Sequence, residues 1–195
     1  MTAATPATAR QNAEQAFLDA AERLLVEVGY AGITTRRLAR EAGANQGLVH
    51  YYFGSMENLL VRVLERFTER LIARQRAMYA ADLPFLEKWR QAMRYLDEDF
   101  ASGYQKVWYE LQAMAWSKPE LRERVAQQTR EWRDVLREAV EQGEREHEID
   151  MPVDALVTLV ATFNQGIILE RLSGIDSGHR ELLDWIDAWL AGNER

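Results

Sequence analysis

The chain has 195 residues, no cysteine and a formal net charge of −7. A chain of this length can bury roughly 70 % of its unfolded surface without a covalent staple, and the absent cysteines exclude a disulfide scaffold, a thiolate zinc or iron–sulfur site and a cysteine nucleophile. The hydrophobic and charged fractions, 47 % and 28 %, are those of a folded globular chain. No uninterrupted apolar run approaches about 18 residues, and the opening MTAATPATAR lacks the apolar stretch of a secretory signal. A cytoplasmic location with no membrane partner is the expectation.

Residues 1–11 are rich in Thr and Ala and read as a flexible tail. A first helix is predicted over 12–28, where Phe17, Ala20, Ala21, Leu24, Leu25 and Val28 recur at three- and four-residue spacing; Gly29 stands where it stops. Thr34 is placed to cap a short second helix over 35–42, with Leu38, Ala39 and Ala42 inward and Arg36, Arg37 and Arg40 outward. Gly43 ends it, Asn45 can cap a third short helix over 46–52, and Gly54 breaks that one. Ser55 then caps a long fourth helix, striped by Leu59, Leu60, Val63, Leu64, Phe67 and Leu71. Pro84 suits the first turn of a fifth, with Phe85, Trp89, Met93, Leu96 and Phe100 on one face. Gly103 separates it from a sixth that carries Val107, Trp108, Leu111, Met114 and Ala115. Pro119 restarts the chain into a seventh to residue 146, Pro152 opens an eighth to 173, and a ninth covers 179–190. Alternating strand patterns are missing, so the expected fold class is all-α, with about nine helices.

Two short helices joined by the Gly43-Ala44 turn have the layout of a helix-turn-helix. The second helix of such a pair enters the DNA major groove, so its outer face needs small or polar side chains. Asn45, Gln46, Gly47, His50 and Tyr51 supply them, Gln46 being able to bond an adenine edge. Arg36, Arg37 and Arg40 suit phosphate or guanine. Between residues 33 and 54 three arginines stand against one glutamate, a net +2, whereas residues 1–54 sum to zero and residues 55–195 carry the whole −7. A neutral-to-basic head on an acidic body is the asymmetry of a DNA-binding head.

The ordered string ITTRRLAREAGANQGLVHYYFGS, residues 33–55, resembles the DNA-binding domain of the TetR family, and the resemblance covers about residues 12–60. Gly29-Tyr30, Thr34-Thr35, Leu38-Ala39, Gly43 and Tyr52-Phe53 before Ser55 carry it. The resemblance implies a helix-turn-helix domain over residues 12–56 and a helical effector-binding and dimerisation domain over 57–195. It implies DNA contacts from Thr34, Thr35, Arg36, Arg37, Asn45, Gln46, Gly47, Leu48, His50, Tyr51, Tyr52 and Ser55. Two positions depart from the family's habit: His50 stands where many members have Tyr, and Met56 where a Lys is common. The partners implied are a pseudo-palindromic double-stranded operator, a second copy of the chain and a small effector, most simply as a repressor that the effector releases.

The body is rich in aromatic side chains, which at helical spacing are core residues first. The family's architecture nevertheless implies an effector pocket, for which Phe67, Phe100, Tyr104, Trp108, Leu111, Met114, Phe163 and Asn164 are the lining candidates. Such a lining is mostly apolar and suits an apolar or aromatic effector. The eighth helix is apolar on two faces, so both must be covered. Leu156, Val160, Phe163, Ile167, Ile168 and Leu172, with Trp185 and Trp189 of the ninth, are the candidate dimer interface.

Enzymatic readings find little. Glu144-Arg-Glu-His147 matches the Glu-x-x-His pattern of a di-metal bundle, but that site takes two such motifs, and the hydrophilic run 141–148 reads as a solvated helix end. There is no Gly-rich phosphate loop and no assembled Ser–His–acid set. Neither catalysis, metal nor cofactor is expected. The competing reading is a helical small-molecule-binding or partner-docking module with a vestigial head; against it, the outer face of residues 45–51 stays small, polar and free of acids.

Overall fold

The computed structural model describes residues 6–147 and 149–193. Among these it has nine α-helices, one 3-10 turn and no strand: α1 Pro6–Val28, the turn Tyr30–Gly32, α2 Thr35–Glu41, α3 Gly47–Phe53, α4 Met56–Tyr79, α5 Phe85–Ala101, α6 Tyr104–Ser117, α7 Pro119–Glu146, α8 Val153–Leu172 and α9 His179–Gly192. The all-α expectation holds. Its largest correction at the helix ends is α1, which begins at Pro6, inside the stretch read as a tail; residues 1–5 lie outside the described residues. Proline is at home at a first helical position, and alanine is the strongest helix former, so Pro6-Ala-Thr-Ala can start a helix despite its bland composition.

The chain divides into two compact units, Met1–Phe67 with Ser102–Gln127, and Thr68–Ala101 with Gln128–Arg195. The boundary expected near residue 56 is therefore replaced by a discontinuous one. The beginning of α4, all of α6 and the start of α7 pack with the three N-terminal helices. Phe17, Leu24 and Leu25 of α1, Leu38 of α2, Val49 of α3, Leu59, Leu60 and Leu64 of α4, and Val107 and Leu111 of α6 form one core, each 2 % exposed or less. Each such side chain stabilises the unit by about 1.5–3 kcal/mol through burial, which fixes the short α2 and α3 against long neighbours.

The second unit is built differently. Its apolar cluster is small: Leu136 and Val140 of α7 against Val157 and Ala161 of α8, with Trp132, Val153, Leu156 and Val160 packed on it. Charged forks supplement it. Arg90 of α5 grips Asp187 of α9 with Nε and a terminal nitrogen, at 2.8 and 2.9 Å. Arg171 of α8 bonds Asp97 at 2.8 Å and lies 4.2 Å above the Phe100 ring. Lys88 is buried and donates to the Tyr79 carbonyl and Gln142 Oε1, both at 2.7 Å.

His147 overturns the reading of residues 141–148 as a solvated end. It is fully buried, between the rings of Phe85 and Trp189, with Nδ1 3.3 Å from the Asn193 carbonyl. The hydrophilic run hid it because Gly143 and His147 turn inward, against Phe85 of α5 and Trp189 of α9, among polar neighbours.

Candidate nucleic-acid interface

Local capping shapes the two short helices. Thr34 has an extended backbone, and its hydroxyl accepts the Arg37 N–H at 3.1 Å, closing the first turn of α2. At the other end the Gly43 N–H reaches the Arg40 carbonyl at 3.2 Å and the Ala44 N–H reaches the Ala39 carbonyl at 2.9 Å. That pair of bonds is a Schellman motif, and it places Gly43 at φ +64°, where a side chain would be strained. Asn45 Oδ1 then accepts the Gly47 N–H at 2.9 Å, and the Asn45 carbonyl accepts from Leu48 at 3.1 Å. Asn45 thus caps the turn into α3, as its place in the sequence suggested, and α3 itself begins at Gly47, one residue later than expected. Ser55 Oγ accepts the Asn58 N–H at 3.1 Å and starts α4.

The faces of α3 separate cleanly. Val49 and Phe53 point inward, in one core with Leu38. Asn45, Gln46, Gly47, His50 and Tyr51 are exposed, Tyr51 by 67 %. Gln46 makes no cap bond. Leu48 is half-buried against the core, as is Tyr52, so each offers only an edge. His50 Nδ1 lies 2.9 Å from the Gly54 carbonyl. A carbonyl only accepts, so Nδ1 carries the proton. In that tautomer Nε2 is the ring's acceptor.

The electrostatics of the head are one-sided. Its single acid between residues 33 and 55, Glu41, is taken up by Arg23 of α1, whose Nε is 2.9 Å away. Arg36 and Arg40 are exposed, Arg37 is half-exposed, and none forms an ion pair among the described residues. In the body, by contrast, Arg66, Arg74, Arg90 and Arg124 all hold carboxylates. Thr35 is half-buried beside these arginines in sequence. Met56 packs against the core, and Glu57 beside it pairs with Lys118, which lies between α6 and α7; that hydrogen bond holds the Glu57 carboxyl below its usual range.

The other candidate residues fall in both units. Leu111 and Met114 are core residues of the first unit, and Phe67 and Trp108 pack against that core. Buried Tyr104 joins them, its ring 5.2 Å from Phe67 and 6.4 Å from Trp108. Phe100, Phe163 and Asn164 belong to the second unit. Phe163 and Asn164 are half-buried, and Asn164 Oδ1 has no hydrogen-bond partner among the described residues.

Of the interface candidates, Leu172 and Trp185 are exposed, while Leu156, Val160, Phe163 and Trp189 are half-buried. Ile167 and Ile168 are 5 % and 6 % exposed within the single chain, so they have almost no surface to offer a partner. Leu159 and Leu169 of α8 and Leu182 of α9 are exposed as well. Arg10 was missed. Its guanidinium lies 5.8 Å from the Tyr51 ring centre and 6.0 Å from that of Tyr52; its seven-residue spacing from Phe17 was the available signal.

Comparison with known proteins meets this geometry. Residues 17–63 match the family described as bacterial regulatory proteins, tetR family. The transcriptional repressor AcnR of Corynebacterium diphtheriae is 26 % identical over 176 residues, covering 89 % of this chain and 88 % of its own. The fold is that of a TetR transcription regulator from Haloarcula marismortui, with TM-score 0.75 and 19 % identity over 95 % of this chain and 100 % of that one. A transcriptional regulator from Saccharomonospora viridis solved with choline superposes with TM-score 0.72 and 20 % identity, covering 93 % and 95 % of the two chains. The capped α2–α3 pair thus lies inside the residues that match the tetR family of bacterial regulatory proteins, and the chain as a whole shares the fold of such regulators.

Proposed function

We propose that the chain is a repressor that binds a pseudo-palindromic operator as a homodimer and is released by a small, mostly apolar or aromatic effector. Gly47 carries the DNA side of this reading. Glycine is poorer than alanine in a helix, yet Gly47 is not at positive φ, and a Cβ there would meet only Asn45 Oδ1, at an ordinary 3.4 Å. The protein itself has no need of glycine at this position. A duplex brought close to the backbone does, and the unpaired arginines of α2 give it a reason to come.

The exposed leucines of α8 and Trp185 of α9 favour a second copy as the cover for that surface. α8 is long and apolar enough to cross a membrane by length and composition alone. It also carries Asp154, Asn164, Gln165, Glu170 and Arg171, which a partner helix tolerates better than lipid. A two-fold dimer would then present two copies of α3 to two half-sites, in the cytoplasm where the DNA is. An effector acts by preferring a conformer whose two α3 helices miss those half-sites.

The test is a mobility shift with the DNA upstream of the chain's own gene, repeated with a panel of apolar and aromatic compounds and with choline. A specific shift that one of these compounds reverses supports the reading. Failure to bind that DNA and random duplex alike, in a folded protein, would favour the binding module with a vestigial head.

A further inference from the structure

We infer that Arg10 of α1 is a DNA-contacting residue, so that the interface includes the first turns of α1 as well as α2 and α3. This inference rests on the reading of the chain as a DNA-binding protein.

The placement follows from helix geometry. Phe17 packs against α3, its ring 6.3 Å from both Tyr52 and Phe53. Arg10 precedes it by seven residues, about two turns, and so lies on the same face of α1 about 10 Å further along. Where Phe17 meets the buried side of α3, Arg10 meets its exposed end. Its guanidinium lies beside the rings of Tyr51 and Tyr52, which themselves meet edge to face at 5.1 Å. This contact exists only because α1 is already helical from Pro6.

The chemistry there suits a phosphate. Arg10 is exposed and forms no ion pair among the described residues. A guanidinium held against aromatic rings keeps its N–H donors free, and their planar fork matches two oxygens of a phosphate. Tyr51 belongs to the DNA-facing side of α3, so a cation fixed beside its ring stands at the rim of the surface that enters the groove. The two rings limit the rotamers of a side chain that would otherwise sweep widely, which lowers the entropy lost on contact. Arg10 thereby joins Arg36, Arg37 and Arg40 as cations flanking α3 from two different helices.

The experiment is a salt titration of wild type, Arg10→Ala, Arg10→Lys and Arg37→Ala on upstream DNA and on a random-sequence duplex. Arg10→Ala is expected to weaken both DNAs by the same factor and to make the slope of log affinity against log salt shallower by about one per protomer. Arg10→Lys keeps the slope because it keeps the charge. Circular dichroism of each variant accompanies the titration. If Arg10→Ala merely loosened α1, affinity would fall with the slope unchanged, and that result overturns the inference, as does a wild-type slope with wild-type affinity. A loss of slope in Arg10→Lys equal to that in Arg10→Ala also overturns it. A shallower slope in Arg37→Ala alone leaves the DNA-binding reading standing and removes only Arg10; no binding of either DNA by wild type removes both.

Discussion

The backbone N–H of Tyr30 donates to Glu110 Oε2 across 2.6 Å, and a Cβ on Gly29 would stand 2.8 Å from Oε1 of the same carboxylate. A single side chain of α6 is thus seated on the corner between α1 and α2. Gly29 is needed twice over there, for its φ of +69° and for the space its missing side chain leaves to the carboxylate. Lys106, one turn earlier on α6, stands 3.9 Å from Oε1 and helps to hold the charge.

Removing that acceptor should loosen the corner. Glu110→Ala leaves a part-buried N–H unsatisfied, at a cost of about 1–3 kcal/mol, while Glu110→Gln retains an acceptor and should lose less. Denaturant unfolding of both variants gives the difference, and hydrogen exchange at the Tyr30 amide should quicken in Glu110→Ala. An unchanged exchange rate would show that the bond contributes nothing to the corner in solution.

The legible part of this molecule is the part written in local signals. Thr34, Gly43 and Ser55 each announce a helix end through their own chemistry, and all three behave as their residue types require. Glu110 gave no such signal, because its partner is a backbone N–H eighty residues away. Nor did periodicity reveal that α6 packs with the N-terminal helices, since an apolar stripe shows that a face is covered and not by what. The same ambiguity misplaced Ile167 and Ile168. On a helix that is apolar nearly all round, sequence does not say which face the chain keeps for itself.

Gln46 and Arg37 should fail differently. Gln46 is exposed at the start of α3, and a lost bidentate base contact costs about 1–3 kcal/mol of discrimination. Gln46→Ala should therefore weaken the specific site roughly ten- to a hundred-fold and relax one base position per half-site. Arg37→Ala should weaken every sequence alike and flatten the salt dependence by about one per contact. Competition binding on specific and random duplexes separates the two. Unaltered sequence preference in Gln46→Ala would mean that another face does the reading.

Acid should release α9 through Asp187. The hydrogen bonds from Arg90 hold the Asp187 carboxyl below its usual range. The folded state therefore binds that proton less tightly than the unfolded chain, where Asp titrates near about 3.9. The stabilisation is complete above that pH and is lost as pH falls through the lower folded value. Asp99 runs the other way: burial raises its carboxyl despite Arg74, so its contribution grows on acidification. Asp187→Asn should flatten the acid limb of stability by a small amount, because the pair meets solvent. Acid unfolding followed by tryptophan fluorescence, with Trp185 and Trp189 flanking the site in α9, reads it; an acid limb identical to wild type would refute the assignment.

Association and stability should separate on α8. Leu159 is 54 % exposed and Trp185 64 %, and Leu169, Leu172 and Leu182 of the same two helices are exposed as well. Exposed large apolar side chains gathered on two helices suit a binding face, and a two-fold interface would use them on both copies. Leu159→Glu with Trp185→Glu should convert a dimer to a folded monomer, with the helical signal intact. Ile168 is the contrast. At 6 % exposure its side chain is packed inside its own chain, so Ile168→Ala should lower stability by about 2–5 kcal/mol and leave the association of the folded molecules unchanged. Sedimentation at micromolar concentration beside denaturant unfolding distinguishes the two effects. A wild type that sediments as a monomer would remove the dimer, and a double variant that still dimerises would move the interface to another face.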